Sequence, residues 1–185
     1  MTCFPDNRRK RRYQGAPRDS SPLGKKKMTI REAHRSDSAD IARLTVELGY
    51  AGDAYTIGER LGRIGSQRDQ VVFVAVLDEK IVGWLQAHAS ASLESGYRVE
   101  VVGLIVGADC RRRGIGRALV QQAERWALEI GSDVVVVRSN TKRAESHDFY
   151  PALGFSAAKT QAVYRKLLKK EPNQPLQATA ATPGS

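Results

Sequence analysis

The sequence has little of what marks several large classes of protein. Its 185 residues include two cysteines, Cys3 and Cys110, and three histidines, at spacings that are not typical of metal ligands. Two isolated cysteines exclude a disulfide framework and favour a reducing, cytoplasmic compartment. No apolar run approaches the roughly 20 residues that cross a bilayer, and no apolar segment follows the basic N-terminus as in a secretory signal. These features predict a protein with no metal and no membrane partner.

The formal net charge of +10 is concentrated outside the part of the chain that can fold. Residues 1–27 carry nine basic and two acidic residues, whereas residues 28–170 carry a net charge of only +4. We expect residues 1–27 to be a disordered basic leader, residues 171–185 a disordered tail, and residues 28–170 one domain. The leader is either an arm that contacts nucleic acid or a dispensable extension, since Met28 resembles a natural start. The nearly balanced domain argues against nucleic-acid binding by the fold itself.

Strand and helix signals alternate through residues 28–168. Runs of β-branched residues predict strands, and apolar residues three and four apart predict helices. The second helix is expected to open on a capping box, from Thr56 to Glu59. The order β-α-α-β-β-β-α-β-α-β-β predicts an α/β (α+β) fold, in which helices cover both faces of a mixed sheet. The strands are predicted at 28–33, 71–77, 81–89, 98–106, 133–138, 155–157 and 161–168, and the last two helices at 115–130 and 142–153.

A loop with the composition of an anion site follows the fourth predicted strand. It reads RRRGIG over residues 111–116 and leads into a helix. Backbone N–H groups at a helix N-terminus, glycines without Cβ atoms and arginine side chains together favour a phosphate group. The loop is not a Walker loop, which needs Lys after its second glycine, nor a dinucleotide loop, which needs Gly or Ala where Leu119 stands.

Two segments together resemble the GCN5-related N-acetyltransferase (GNAT) superfamily. The first is the strand at residues 104–106 followed by the Arg-x-x-Gly-x-Gly loop, and the second is Phe-Tyr-x-x-Leu-Gly-Phe over residues 149–155. The resemblance covers residues 28–168. It implies a mixed, mostly antiparallel, seven-stranded sheet and an enzyme that moves the acetyl group of acetyl-CoA to a primary amine in a ternary complex.

The resemblance also implies how the co-substrate acetyl-CoA binds. Backbone groups of residues 104–106 are expected to pair with the pantetheine arm, and the strand at 133–138 is expected to splay away and leave a V-shaped cleft. A bulge in the fourth strand is expected to aim a backbone N–H at the thioester carbonyl. Where the family often has an Asn that contacts CoA, this chain has Arg143, so Asn140 either replaces that contact or caps the next helix with Thr141. The expected cofactor-binding residues are Leu104, Ile105, Val106, Arg111, Arg112, Arg113, Gly114, Ile115, Gly116, Arg117 and Asn140.

Acetyl transfer needs a base for the amine and an acid for the departing thiolate. Glu100 falls at the position of the catalytic glutamate in the family's histone acetyltransferases and is the candidate base, although many family members use a water chain instead. Strand alternation places Glu100 on the same face as Leu104. Tyr150 stands where tyrosines of the family protonate the thiolate, and a phenol can supply that proton.

The acceptor site is expected between the first two helices, the loop at 90–98 and the final strands. Carboxylates and aromatic rings in these segments suit a cationic amine, and the candidates are Tyr50, Asp53, Tyr55, Glu94 and Tyr97. They do not distinguish a polyamine, an aminoglycoside, an amino acid or a protein N-terminus. Family members often dimerise, so a homodimer is a further expectation. The alternatives are a CoA-binding sensor or scaffold without turnover, and a nucleic-acid-binding protein that acts through its leader.

Overall fold

The computed structural model describes residues 27–47, 49–142 and 144–168. The chain divides into two compact units, one up to Asn140 and one from Thr141. The leader and tail expected from the composition lie outside the described residues, apart from Lys27.

The first unit is built on a single five-stranded sheet. The strand order is β1-β2-β3-β4-β5; the first four strands are antiparallel to their neighbours, and β5 is parallel to β4. Short 3-10 turns precede the first and third helices. The predicted mixed α/β fold is confirmed. Its elements are β1 (Met28–Glu32), α1 (Ser38–Glu47), α2 (Ala54–Gly65), β2 (Gln70–Leu77), β3 (Lys80–Ser92), β4 (Gly96–Val106), α3 (Ile115–Glu129) and β5 (Val135–Val137).

Helices cover both faces of the sheet. Five successive residues of β2 are buried, and successive side chains of a strand point to opposite faces, so both faces of β2 are covered. Val72 and Val74 lie in one apolar cluster with residues of α1 and α2. Gly83 pairs with Ala75, and a Cβ atom at Gly83 would lie 3.4 Å from the side chain of Leu119 in α3. Therefore α3 covers the face opposite to α1 and α2.

The second helix begins earlier than its predicted capping box. Asp53 is the N-cap of α2, and its side chain accepts hydrogen bonds from the backbone N of Thr56 at 2.8 Å and from Thr56 Oγ1 at 2.8 Å. Thr56 is therefore inside the first turn, and the expectation that it starts the helix is wrong. An aspartate is as good an N-cap as a serine or threonine, and here it precedes the box by three residues.

The second unit begins with α4 (Ala144–Phe149), and a 3-10 turn follows at Pro151–Leu153. The helix predicted over 142–153 is shorter than expected because Pro151 has no N–H group to continue the backbone ladder. Residues 155–168 form no strand, and Val163 and Tyr164 are 90% and 93% exposed. The expectation of seven strands is thus not confirmed: within the described residues the sheet has five. Ala157, Ala158 and Lys159 interrupt this segment with residue types that are depleted in strands.

The close approach of β3 to β4 can be tested at Gly83. A Cβ atom there would lie 2.8 Å from the carbonyl oxygen of Ile105, and a backbone oxygen cannot move aside cheaply. We expect Gly83→Ala to lower the free energy of unfolding by about 1–3 kcal/mol in urea denaturation followed by circular dichroism. The matched control is Gly62→Ala in α2, where the added Cβ meets nothing within 4 Å and should raise stability by about 0.5–1 kcal/mol. Equal stability of Gly83→Ala and wild type would contradict this packing.

Candidate active site

The registers of β3 and β4 shift by one residue in the middle of β4. Gln86 pairs with Gly103 and Ala87 pairs with Val101, so Val102 has no partner on β3. This arrangement is a β-bulge, which bends the strand and re-aims its backbone groups. The expectation of a bulge in the fourth strand is confirmed.

The bulge also changes which side chains share a face. Glu100 pairs with His88, and Gly103 pairs with Gln86. His88 and Gln86 are two residues apart on β3 and point to one face, so Glu100 and Gly103 share that face as well. Leu104 points to the opposite face. The expectation that Glu100 and Leu104 share a face is wrong, because one inserted residue reverses the alternation of the strand.

Beyond the bulge, one edge of β4 is open. β5 pairs with β4 over three residues and ends at Val137, which is opposite Val101. β4 continues to Val106, so in the described part of the chain the edge facing β5 has no strand partner over residues 102–106. Backbone N–H and C=O groups on such an edge can pair with an extended ligand. The end of the pairing leaves the edge that the expected splay requires, and the splay itself stays a prediction.

The loop between β4 and α3 turns its backbone N–H groups towards one side. Arg112 and Gly114 have φ values of +58° and +79°, and left-handed residues among right-handed ones form the concave nests that bind anions. Gly114 is the N-cap of α3 and has no side chain to cap it. The first backbone hydrogen bond of the helix runs from Ala118 N to Gly114 O at 3.0 Å. The preceding amides therefore point out of the helix N-terminus.

The arginines of this loop surround the helix N-terminus with positive charge. The side chains of Arg112, Arg113 and Arg117 are exposed, and the first turn of α3 contains no acidic residue. Arg111 Nε donates to the carbonyl oxygen of Val106 at 3.2 Å, which ties the loop to the end of β4. The helix macrodipole and the guanidinium groups act in the same direction, so the loop suits a diphosphate. Asn140 is exposed at the end of the first unit.

Glu100 is a nearly buried carboxylate in the middle of the sheet. Its side chain is 14% exposed, and Oε2 lies 3.4 Å from Nη2 of Arg138, whose side chain is 63% exposed. Arg138 directly follows β5 and so stands where β4 and β5 begin to diverge. The ion pair places a charged group of each sign at the start of the open edge.

Three residues of this part of the sheet were not predicted from the sequence as site residues. Arg138 is its ion-pair partner, and His88 is its cross-strand neighbour. Trp84 covers Gly103: a Cβ on that glycine would lie 2.8 Å from the indole ring. A cross-strand partner depends on register, which a single sequence does not specify, so only the position of Arg138 at the end of a predicted strand offered a signal.

The residues expected to bind the acceptor have different surroundings. Tyr50, Tyr55 and Tyr97 are exposed, and Glu94 is exposed in the turn between β3 and β4. Asp53 caps α2, and the hydrogen bonds from the backbone and the hydroxyl of Thr56 hold the pKa of Asp53 below its usual range. Asp53 therefore has a structural task, whatever else it contacts.

Tyr150 lies in the second unit, directly after α4. Its ring packs edge-to-face against Phe149 and Phe155, with centroid distances of 5.1 Å and 5.6 Å. Its carbonyl oxygen accepts a hydrogen bond from Phe155 N at 3.1 Å, and Gly154 supports this turn with a φ of +93°. The aromatic cluster fixes the ring of Tyr150 within this unit.

Within the residues that the structure describes, no group of three or more His, Cys, Asp or Glu side chains is placed to hold a metal ion. In the same ranges, no helix has both the length and the apolar character required to cross a bilayer.

Comparison with known proteins agrees with the fold. The model of the acetyltransferase (GNAT) family matches residues 41–155, which is more than half of the chain. The chain therefore belongs to the GNAT family, and by its family it is an acyl-CoA N-acyltransferase.

The individual relatives share about a quarter of their residues or fewer with this chain. The chain is 26% identical over 132 residues to the uncharacterized N-acetyltransferase YhdJ of Bacillus subtilis (strain 168), covering 71% of this chain and 90% of that protein. It is 26% identical over 146 residues to the aminoglycoside N(6')-acetyltransferase type 1 of Stenotrophomonas maltophilia, covering 76% and 94%. A solved aminoglycoside N-acetyltransferase, AAC(6')-Iy in complex with CoA, superposes with a TM-score of 0.71 at 20% identity, covering 77% of this chain and 96% of that one.

Proposed function

We propose that this protein transfers the acetyl group of acetyl-CoA directly to a primary amine of a small cationic molecule, in a ternary complex. The observation that carries the proposal is the continuity of three features along the chain: the bulge at Val102, the open edge at 102–106 and the anion loop at 111–117. An acyl group, an extended amide-bearing arm and a diphosphate follow one another in acetyl-CoA in the same order.

The open edge of β4 would hold the pantetheine arm of the co-substrate. That arm contains two amides, and amides pair with the unpartnered backbone of an edge strand as another strand would. Leu104, Ile105 and Val106 present this backbone, and Leu104 lies two residues beyond the bulge. A backbone N–H that the bulge re-aims can donate to the thioester oxygen, where negative charge develops during attack.

The anion loop would hold the diphosphate. The amides of Gly114, Ile115 and Gly116 supply backbone donors at the positive end of α3. The side chains of Arg112 and Arg113 add charge-assisted hydrogen bonds. Asn140 is proposed as a further CoA contact.

Glu100 would act as the base. An ammonium group does not attack a thioester, so the acceptor amine must first lose a proton, and the carboxylate of Glu100 is two residues from the bulge. The neutral amine then attacks the thioester carbon, a C–N bond forms and the C–S bond breaks. The thiolate of CoA takes a proton, and Tyr150 is proposed as the acid that donates it. The nitrogen loses its second proton as the amide forms, which restores the proton that the acid gave up.

The acceptor is proposed to be a cationic, amine-bearing small molecule such as an aminoglycoside or a polyamine. One relative that the chain resembles over most of its length is named for action on aminoglycosides. Exposed tyrosines and the carboxylates of Glu94 and Glu100 also suit a cation.

The test is CoA thiol release over a panel of aminoglycosides, polyamines, amino acids and peptides with free N-termini. Acetyl-CoA at about 100 times its Kd should stabilise the fold by about 2.7 kcal/mol, which a thermal shift detects. No stabilisation at millimolar acetyl-CoA would overturn the proposal. Stabilisation without thiol release would favour the sensor, and salt-sensitive nucleic-acid binding that disappears without residues 1–27 would favour the basic leader as the functional element.

Tyr150→Phe is expected to lower kcat about tenfold while the Kd for acetyl-CoA stays the same. The phenylalanine keeps the ring packing against Phe149 and Phe155 but removes the hydroxyl that would protonate the thiolate. Steady-state kinetics and calorimetry measure the two quantities. Tyr164→Phe is the matched control, because that ring is 93% exposed in the same unit. Equal loss in both variants, or none in Tyr150→Phe, would contradict the acid role.

Three expectations stay predictions from the sequence. They are that the protein is cytoplasmic, that it forms a homodimer, and that the leader, domain and tail have the stated limits.

A further inference from the structure

A row of polar side chains crosses three strands, on the face of the sheet that carries Glu100, and continues to the residue after β5. Gln70 of β2 pairs with His88 of β3, and His88 pairs with Glu100 of β4. Paired residues on antiparallel strands point to the same face, so these three side chains are lateral neighbours. Arg138, after β5, completes the row through its ion pair with Glu100.

His88 is the link in this row between the nearly buried carboxylate and the solvent. Its side chain is 39% exposed, whereas that of Glu100 is 14% exposed. Nε2 of His88 lies 3.9 Å from Oδ2 of Asp69, which directly precedes β2. One ring nitrogen thus faces an exposed carboxylate, and His88 and Glu100 are directly paired across β3 and β4, where paired Cβ atoms lie about 4.5–5.5 Å apart.

The other charged groups around His88 cannot replace it. Arg138 contacts Glu100, but a guanidinium stays protonated in proteins and accepts no proton. Arg98 precedes Glu100 by two residues on β4 and donates to Ser95 Oγ. The amide of Gln70 does not titrate. Asp69, through its ion pair, and Glu100, through strand pairing, are therefore the acidic neighbours of His88 in this row.

We propose that His88 is a positioning residue that carries the proton taken up by Glu100 to the solvent. This inference rests on the proposed acetyl transfer. The acceptor's ammonium group gives one proton to the Glu100 carboxylate. The resulting carboxylic acid passes a proton to one nitrogen of the neutral His88 ring, and the ring releases a proton from its other nitrogen to water beside Asp69. Glu100 is ionised again for the next turnover, and no proton is gained or lost by the pair.

The experiment compares His88→Gln and His88→Ala with wild type on an amine that wild type acetylates. Glutamine keeps a polar group of similar reach but cannot take up and release a proton, so we expect kcat to fall about tenfold and the KM for acetyl-CoA to stay the same. His88→Ala should fall as far and should regain at least threefold in imidazole buffer, at constant pH and ionic strength. Added imidazole should raise the kcat of His88→Gln by less than threefold, because the glutamine side chain occupies the space of the missing ring.

Ser90→Ala is the matched control. Ser90 is two residues from His88 on the same face of β3 and pairs with Arg98. Its substitution therefore tests whether any substitution on this face lowers kcat. We expect its kcat to equal that of wild type, with or without imidazole. Acetyl-CoA thermal shifts for all variants establish that they fold.

The outcomes separate the two proposals. If wild type is active and His88→Gln has the same kcat, the role of His88 is overturned and acetyl transfer is left intact. A loss in His88→Ala that imidazole does not reverse also overturns it, because it assigns His88 to structure. If wild type acetylates none of the amines, acetyl transfer and the role of His88 are overturned together. If kcat falls in both His88 variants and imidazole restores it only in His88→Ala, the role of His88 is supported.

Discussion

Glu100→Gln is expected to lower kcat/KM for the acceptor amine by about 100- to 1,000-fold. General-base catalysis by a positioned side chain contributes rate factors of this order, and glutamine keeps the shape of glutamate but cannot accept the proton of the ammonium group. The amide oxygen of the glutamine can still face the guanidinium of Arg138, so the sheet should remain intact. Steady-state thiol release at saturating acetyl-CoA measures the effect.

The matched control for this substitution is Glu129→Gln, at the exposed C-terminal end of α3. It removes the same charge from the protein and should leave kcat/KM within a factor of two. A water chain would instead predict a loss below tenfold in Glu100→Gln. That result would remove Glu100 from the reaction and leave the co-substrate site unaffected.

Arg113→Glu is expected to raise the Kd for acetyl-CoA by about 10- to 100-fold. The substitution replaces a cation by an anion at the N-terminus of α3, where both the helix macrodipole and the neighbouring arginines favour negative charge on the ligand. Reversal removes one charge-assisted contact and adds repulsion against a diphosphate. Calorimetric titration with acetyl-CoA measures the change, and thermal unfolding without ligand should be nearly unaltered because Arg113 is exposed.

Arg125→Glu provides the control for Arg113→Glu. Arg125 is exposed on α3, three turns from its N-terminus, and its guanidinium is bonded to Gln122. The same change of net charge there should alter Kd less than twofold at 0.15 M salt, where charges further apart than about 8 Å are screened. Equal weakening by both variants would show that acetyl-CoA responds to total charge and not to the loop.

Sequence patterns predicted the elements that depend on local composition. The β-branched runs of β2 to β4 and the apolar stripe of α3 carry a strong periodicity, and their predicted bounds agree with the structure within three residues. The loop at 111–116 was predicted as an anion site because glycine and arginine have local reasons to stand at a helix N-terminus. The weaker segment at 155–168 was predicted as two strands, and the described residues there form none.

Relations between strands were beyond the reach of the sequence. The resemblance implied a bulge, but strand alternation alone placed Glu100 on the wrong face, because one unpaired residue at Val102 reverses it. The cross-strand position of His88 and the ion pair with Arg138 also depend on register, which is set by long-range pairing. The role of Asp53 as the N-cap of α2 was also missed, because a capping aspartate does not differ in sequence from any other loop aspartate.

The left-handed conformation of Arg112 has an energetic cost for the loop between β4 and α3. A non-glycine residue at φ +58° costs roughly 1 kcal/mol of backbone strain, and three adjacent guanidinium groups repel one another. Both costs are present without a ligand, and a polyanion relieves the repulsion by neutralising it. In the proposed complex, part of the affinity for the diphosphate would therefore come from removing the repulsion between the arginines.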